Sequence, residues 1–165
     1  MTADRRLAVR SGIGYDSHRF APGGPLTLGG VRIPSDAHLH GHSDGDAIAH
    51  AVTDAILGAA ALGDIGEMFA DTDAANAGRD SIEMLSLAAR RLATHGWRVA
   101  QVDVVVIAET PRIAPHREAM RDRIAGALGI AREDVSIKGK TNELMGFVGR
   151  GEGIACMATA TIIAE

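Results

Sequence analysis

The chain has 165 residues, 46% of them hydrophobic and 23% charged, with a formal net charge of −4 and a pI near 6.0. No Lys/Arg stripe breaks that acidic balance, which argues against non-specific binding to nucleic acid or to a membrane surface. One cysteine, Cys156, excludes an internal disulfide, and no run approaches 18 uninterrupted apolar residues.

This length predicts a single domain over 1–165 that buries roughly 70% of its unfolded surface. Residues 1–8 read as an N-terminal extension without a secretory apolar core, so the cytoplasm is the expected location. Residues 8–15 form a first strand. Asp16 and His18 follow it two apart in GIGYDSHRF, and on a strand they point to one side. LTLGGVRIP, residues 26–34, reads as two short strands around Gly29-Gly30, a hairpin. Residues 46–62 have helical periodicity, with Ser43 or Asp44 as N-cap and Gly63 as the stop. Residues 63–78 read as an acidic loop. A second helix is capped by Asp80 or Ser81 and ends near His95-Gly96. Residues 99–108 are apolar on both faces and read as a buried strand. Pro115 opens a third helix to about Leu128, and 135–141 and 154–163 add two more strands. The predicted fold class is α+β: a mixed β-sheet covered by helices on one face, plus a short β-hairpin.

The chemistry-bearing residues fall into separate segments. In HSDGDAIAH, residues 42–50, Asp46 and His50 lie four apart and share a helix face that Asp54 continues. A row serving only the core would hold leucine there. His42 and Ser43 stand at the helix entrance, where free amides and the positive dipole end favour an anion. Asp16, His18 and His50 together would make a two-imidazole, one-carboxylate set that leaves one position of a tetrahedral zinc ion open. The same residue types also serve as N-caps and turn hydrogen bonds, and spacing leaves both readings standing.

Other segments are less specific. His38, His40 and His42 alternate as on a strand but read as a solvated loop. GDIGEMFADTD, residues 63–73, offers Asp64, Asp71 and Asp73 as hydroxyl acceptors or helix caps. In KGKTNELMGFVGRGEGIA, residues 138–155, Gly-rich turns around Arg150 resemble an anion cradle without the strand-to-helix pattern of a phosphate loop. Thr141, Asn142 and Glu143 sit at a strand end, where Glu143 suits a harder cation such as magnesium. Asp103 lies unexplained in an apolar strand, and Cys156 reads as inert. Spacing alone ends at a metal-dependent enzyme acting on a phosphorylated small molecule.

GIGYDSHRF, HSDGDAIAHAVTDAILGAAALGDIGEMF, DTD and ELMGFVGRGEGIA, in that order, resemble the 2-C-methyl-D-erythritol 2,4-cyclodiphosphate synthase family from about residue 10 to the carboxyl end. The resemblance implies conversion of 4-diphosphocytidyl-2-C-methyl-D-erythritol 2-phosphate to the cyclic diphosphate with release of CMP, in non-mevalonate isoprenoid synthesis. It implies a homotrimer with its sheets packed around a central axis, active sites between subunits, and an isoprenoid diphosphate in the central cavity. By motif, Asp16, His18 and His50 are zinc ligands, with Asp46 orienting them. His42 with the Ser43 amide, and Thr141 opposite, hold phosphate and steady the transition state. Glu143 binds a magnesium or manganese ion. Asp64 and Gly66, with Phe69, Asp71, Thr72 and Asp73, contact erythritol and phosphate. Ala108, Thr110, Pro111, Arg112 and Ala114 line the cytidine pocket, Lys140 at the phosphate-binding strand end and Asn142 are further substrate contacts, and Phe147 and Arg150 close the site.

The sequence departs from the family pattern at three places. Lys140 stands where a small hydroxyl residue is expected, Ala70 replaces a proline, and Glu109 with Arg112 alters the charge of the nucleotide rim. The competing functions are a zinc phosphohydrolase on another phosphate ester, and a non-catalytic trimer binding isoprenoid phosphates.

Overall fold

Strand β1 (Val9–Pro22) carries the alternation that orients everything else. The structure, a computed structural model, describes residues 8–165, so residues 1–7 of the proposed extension at 1–8 lie outside the described residues. Residue 8 belongs to the fold, because the Ala8 carbonyl accepts from Ala164 N at 3.0 Å. Along β1, Gly12, Gly14, Asp16, His18 and Phe20 turn inward, whereas Ile13, Tyr15, Ser17 and Arg19 are exposed. The expected strand at 8–15 is therefore too short. Its polar second half stays extended because it pairs with β7 (Gly153–Ala164) as far as Arg19 and then, from Phe20, with β4 (Ala37–Leu39).

The sheet continues through β5 (Trp97–Ile107) to β6 (Val135–Lys140), in the order β4-β1-β7-β5-β6. All neighbours are antiparallel except β5 and β6. Helices α1 (Ala47–Ala60), α3 (Ser81–Thr94) and α4 (Arg117–Leu128) pack on one face, and α2 (Ile65–Met68) is a single turn after α1. The core joins Ile48, Val52 and Ile56 of α1 to Leu85 and Leu92 of α3 and to Val102, Val104 and Val106 of β5. Each such side chain contributes about 1.5–3 kcal/mol on burial. The predicted α+β class with a mixed sheet and helices is the observed one.

Several local expectations change. Residue 38 is not in a loop but in β4. Strand β5 is fully buried on its helix side only; Asp103, Val105 and Ile107 on the open side are half-buried. Asp103 has an explanation there, accepting from Lys138 Nζ of neighbouring β6 at 2.6 Å. Helix α1 is capped by Asp46, not by Ser43 or Asp44, and it ends at a left-handed Ala61 (φ 56°) before Gly63 is reached. The acidic loop contains α2, capped by Asp64, and a 3-10 turn over Ala74–Asn76, capped by Asp73.

The hairpin of β2 (Leu26–Leu28) and β3 (Val31–Ile33) turns at Gly29 and Gly30, both at positive φ (57° and 71°), as a two-residue turn of this hand requires. Its two turn amides donate to the Asp46 carboxylate at 2.8 and 2.6 Å. The hairpin is thereby tied to the start of α1.

Candidate metal centre and active site

Close packing brings α1 down onto β1. Any β-carbon at Gly12 or Gly14 would overlap the carbonyl oxygens of Ala55 and Ala51, so only glycine permits this approach. Continuing inward along β1, the next side chains are Asp16 and His18, and they meet His50 from the first turns of α1. His18 Nε2 lies 2.7 Å from Asp16 Oδ2, His50 Nδ1 lies 3.1 Å from the same oxygen, and the two nitrogens are 3.2 Å apart. A tetrahedral ion with bonds of about 2.0–2.1 Å holds its ligands about 3.3 Å apart. The observed triangle is of that size, and among the described residues this trio alone forms a group of three or more metal-ligating side chains.

The donor inventory points the same way. The His40 carbonyl only accepts, so His18 Nδ1–H donates to it at 2.7 Å. A neutral His18 then presents a bare Nε2 to a carboxylate oxygen, an arrangement that calls for a cation or a proton between them. Burial works against charge on both Asp16 and His18. Their mutual hydrogen bond and attraction, with the nearby His50 ring helping to hold Asp16 down, outweigh it, leaving Asp16 below and His18 above their ordinary values. The far nitrogen of His50, Nε2, lies 2.9 Å from Ser43 Oγ and 2.8 Å from Ser81 Oγ.

A cleft of about 360 Å³ opens over the trio. His42, Ser43, Gly66, Phe69 and Asp71 line it. Asp64 and Asp73 instead turn their carboxylates to backbone amides, of Glu67 and Ala75, at 2.8 and 2.9 Å. Thr72 is exposed outside the lining. Asp54 accepts from Ile65 N at 2.8 Å and so anchors α2 to α1.

Asp46 needs correction. Its side chain is fully buried and accepts from the amides of Gly29, Gly30 and Ala49; the carboxylate makes no hydrogen bond to Asp16, His18 or His50. Its spacing from His50 suggested a shared row, but as the N-cap it faces the hairpin. Burial pushes this carboxyl above its ordinary value although all three amides oppose the shift.

A second cleft, of about 350 Å³, is lined by Ala108, Pro111, Arg112, Ala114, Lys140 and Thr141 among others. Thr110 lines a neighbouring groove with Pro111. Register places His18 beside Ile154 of β7, Ala155 beside Ile107 of β5, and Ile107 beside Lys140 of β6. Three strand spacings, about 14 Å, thus separate the ends of the two clefts within one chain. At the edge of the second cleft Thr141 Oγ1 donates to Glu143 at 3.1 Å; beyond it, Asn142 Nδ2 donates to Met145 O at 2.7 Å, and Arg150 pairs with Glu152 at 2.6 Å. Phe147, on α5 (Gly146–Gly149), is exposed and lines neither cleft.

Three contributors, Asn76, Asp44 and Ser81, were not foreseen, and Glu109 has a role other than the expected one. Asn76, nearly buried, lines the first cleft and ties the 69–73 loop by donating to Ala70 O at 3.0 Å, which secures the segment without the expected proline. Glu109 is not a free rim charge, because it accepts from the amides of Asn142 and Leu144 at 2.9 and 3.2 Å. Asp44 and Ser81 stand behind His50. Their only sequence signal was their role as alternative helix caps.

The family model described as YgbB family matches residues 9–163. A protein of Gemmatimonas aurantiaca named 2-C-methyl-D-erythritol 2,4-cyclodiphosphate synthase is 64% identical over 158 residues, 96% of this chain and 95% of that protein. The solved structure of the bifunctional IspDF from Campylobacter jejuni is similar at a TM-score of 0.93 and 38% identity; the match covers 96% of this chain and 43% of that longer one. IspF of Plasmodium falciparum, solved as a CDP complex, is similar at a TM-score of 0.84 and 34% identity over 96% of this chain and 98% of its own.

Proposed function

The chain belongs to the YgbB family, and from that membership we propose that it converts 4-diphosphocytidyl-2-C-methyl-D-erythritol 2-phosphate to 2-C-methyl-D-erythritol 2,4-cyclodiphosphate, releasing CMP. The observation that carries this reading is the convergence of Asp16, His18 and His50 at the floor of a cleft, in a chain so similar to a named synthase.

An oxygen of the substrate's 2-phosphate attacks the diphosphate phosphorus that carries the erythritol. A new P–O–P bond forms, and the bond to CMP breaks. The second pKa of a phosphate monoester is about 6, so the nucleophile is already ionised at neutral pH and needs no strong base. The difficulty is bringing two anions together, which is a problem of positioning and charge. A zinc ion held by Asp16, His18 and His50 supplies Lewis-acid charge and one open ligand position when bound. His42 and the Ser43 amide orient the phosphate from one side, and Thr141 does so from the other. Glu143 is the single protein carboxylate for a magnesium or manganese ion, a kind of site completed by phosphate oxygens and water. Asp71, Gly66 and Phe69 receive the erythritol, while Ala108, Pro111, Arg112 and Ala114 receive cytidine beside Lys140.

The separation of the two clefts supports a shared site. In a homotrimer packed on the open sheet faces, the metal cleft of one copy meets the nucleotide cleft of the next. Exposed Ile13, Tyr15 and Met157 on that face suit such packing. An isoprenoid diphosphate near Arg150 on the trimer axis, and a cytoplasmic location, complete the proposal. No helix among the described residues is long and apolar enough to cross a membrane.

Incubation with the diphosphocytidyl substrate, zinc and magnesium should yield CMP and the cyclic product together. Absence of CMP, or an open-chain phosphate in place of the ring, would overturn the reading.

A further inference from the structure

The far side of His50 holds a chain of groups that the proposed reaction does not use. Ser81 Oγ donates to Asp44 Oδ1, and Ser81 N donates to Asp44 Oδ2 at 3.1 Å. Asp46 N also donates to Asp44, at 3.1 Å. Ser81 is almost wholly buried, with 1% of its surface exposed, so its hydroxyl is satisfied by protein groups: Asp44, His50 Nε2 and, more distantly at 3.5 Å, Ser43 Oγ.

The direction of each hydrogen bond follows from chemistry. A carboxylate only accepts, so the single Ser81 hydroxyl hydrogen goes to Asp44. Ser81 Oγ is then an acceptor toward His50 Nε2, 2.8 Å away. The ring must carry its hydrogen on Nε2 to make that bond. A neutral His50 therefore has a bare Nδ1, the atom that faces Asp16 and His18. Ser43 Oγ, at 2.9 Å, shares the same Nε2–H, but nothing comparable commits its own hydrogen.

We propose that Asp44 and Ser81 are the positioning residues of the metal centre: Asp44 orients the Ser81 hydroxyl, and Ser81 holds the His50 ring in the tautomer that presents Nδ1 to the ion. This rests on the reading of Asp16, His18 and His50 as metal ligands. His18 is held in the complementary sense by the His40 carbonyl, so each imidazole has one nitrogen fixed by an acceptor and the other turned to the centre. Hydrogen-bond partners behind a ligating histidine characteristically govern affinity by factors of about 10–100.

Two variants separate orientation from bulk packing. Ser81→Ala removes the acceptor. Asp44→Asn keeps the shape but allows an amide N–H to face Ser81, freeing the hydroxyl to donate to Nε2 and favour the wrong tautomer. Both should bind zinc about 10–100-fold more weakly in a chelator-competition titration. In long-range 1H–15N spectra of the unaltered, metal-free protein, His50 should appear as the Nε2–H tautomer, a measurement that does not depend on either variant folding. A His50 carrying its hydrogen on Nδ1 there would overturn the proposal. So would zinc affinity unchanged in both folded variants while His50→Ala abolishes binding. If instead the unaltered protein binds no zinc, the metal reading itself fails, and the positioning role with it.

Discussion

Gly14 of β1 lies directly beneath Ala51 of α1, so close that a β-carbon on Gly14 would collide with the Ala51 carbonyl oxygen. Ala51 directly follows His50, and Asp16 is the next inward residue after Gly14. This close backbone approach therefore sits beside the candidate metal ligands. Gly14→Ala should force the helix away, destabilising the fold by about 1–3 kcal/mol as overpacked cores do. It should also weaken zinc binding. Urea denaturation and zinc titration of the same variant check both effects, and full zinc affinity in a destabilised protein would show that helix height does not govern the site.

Asp46 tests a structural role against a catalytic one. Its carboxylate satisfies two turn amides and caps α1, so Asp46→Ala leaves buried donors unpaired. The expected loss is on the order of 3–5 kcal/mol from the cap and the orphaned amides. Whatever fraction remains folded should keep its zinc stoichiometry. Equilibrium denaturation with metal analysis decides this; a stable variant lacking zinc would restore Asp46 to the metal centre.

His50→Ala removes a ligand without disturbing the β1 pair. Loss of several kcal/mol of charge stabilisation predicts turnover lower by about 1000-fold, with zinc lost in parallel. CMP release and metal content are measured on one preparation. Full zinc content with normal turnover would remove His50 from the ligand set.

The pH dependence follows from Asp16 and His18. Burial opposes charge on each, but their hydrogen bond prevails, raising His18 and lowering Asp16. The His18 contribution to metal-free stability is complete below the ordinary histidine value, about 6.5, and disappears as pH rises through the raised one. The Asp16 contribution is present above the ordinary carboxylate value, about 3.9, and disappears as pH falls through the lowered one. The metal-free pair thus stabilises most between about pH 4 and 6.5. Zinc requires the unprotonated imidazole, so its affinity should fall as pH drops through the raised His18 value. Titrations at about pH 8 and about pH 6, with melting curves of the metal-free protein, test both directions. Equal zinc affinity at the two pH values would contradict the coupling.

Local periodicity and turn chemistry are written in consecutive residues, which is why much of the fold was legible. Alternation placed Asp16 and His18 on one side of a strand, Gly29-Gly30 announced the hairpin, and Asp80 capped its helix as expected. The motif order also pointed to the family, since each motif is a contiguous string. What the sequence determined by itself was therefore the set of elements and the candidate metal-ligating side chains. The tertiary structure decided which of those chains face each other. Only packing at Gly14 brings His50 to within 3.1 Å of Asp16, thirty-four residues away in sequence. Asp46 and His50 share a helical spacing, yet one faces the hairpin and the other the ligands, because the N-cap residue does not follow the helical row. Asp44 and Ser81 were invisible as partners of His50, for a hydrogen-bond chain across two helix starts has no period. Sequence carries short-range geometry; contacts between distant segments arise from how the elements pack.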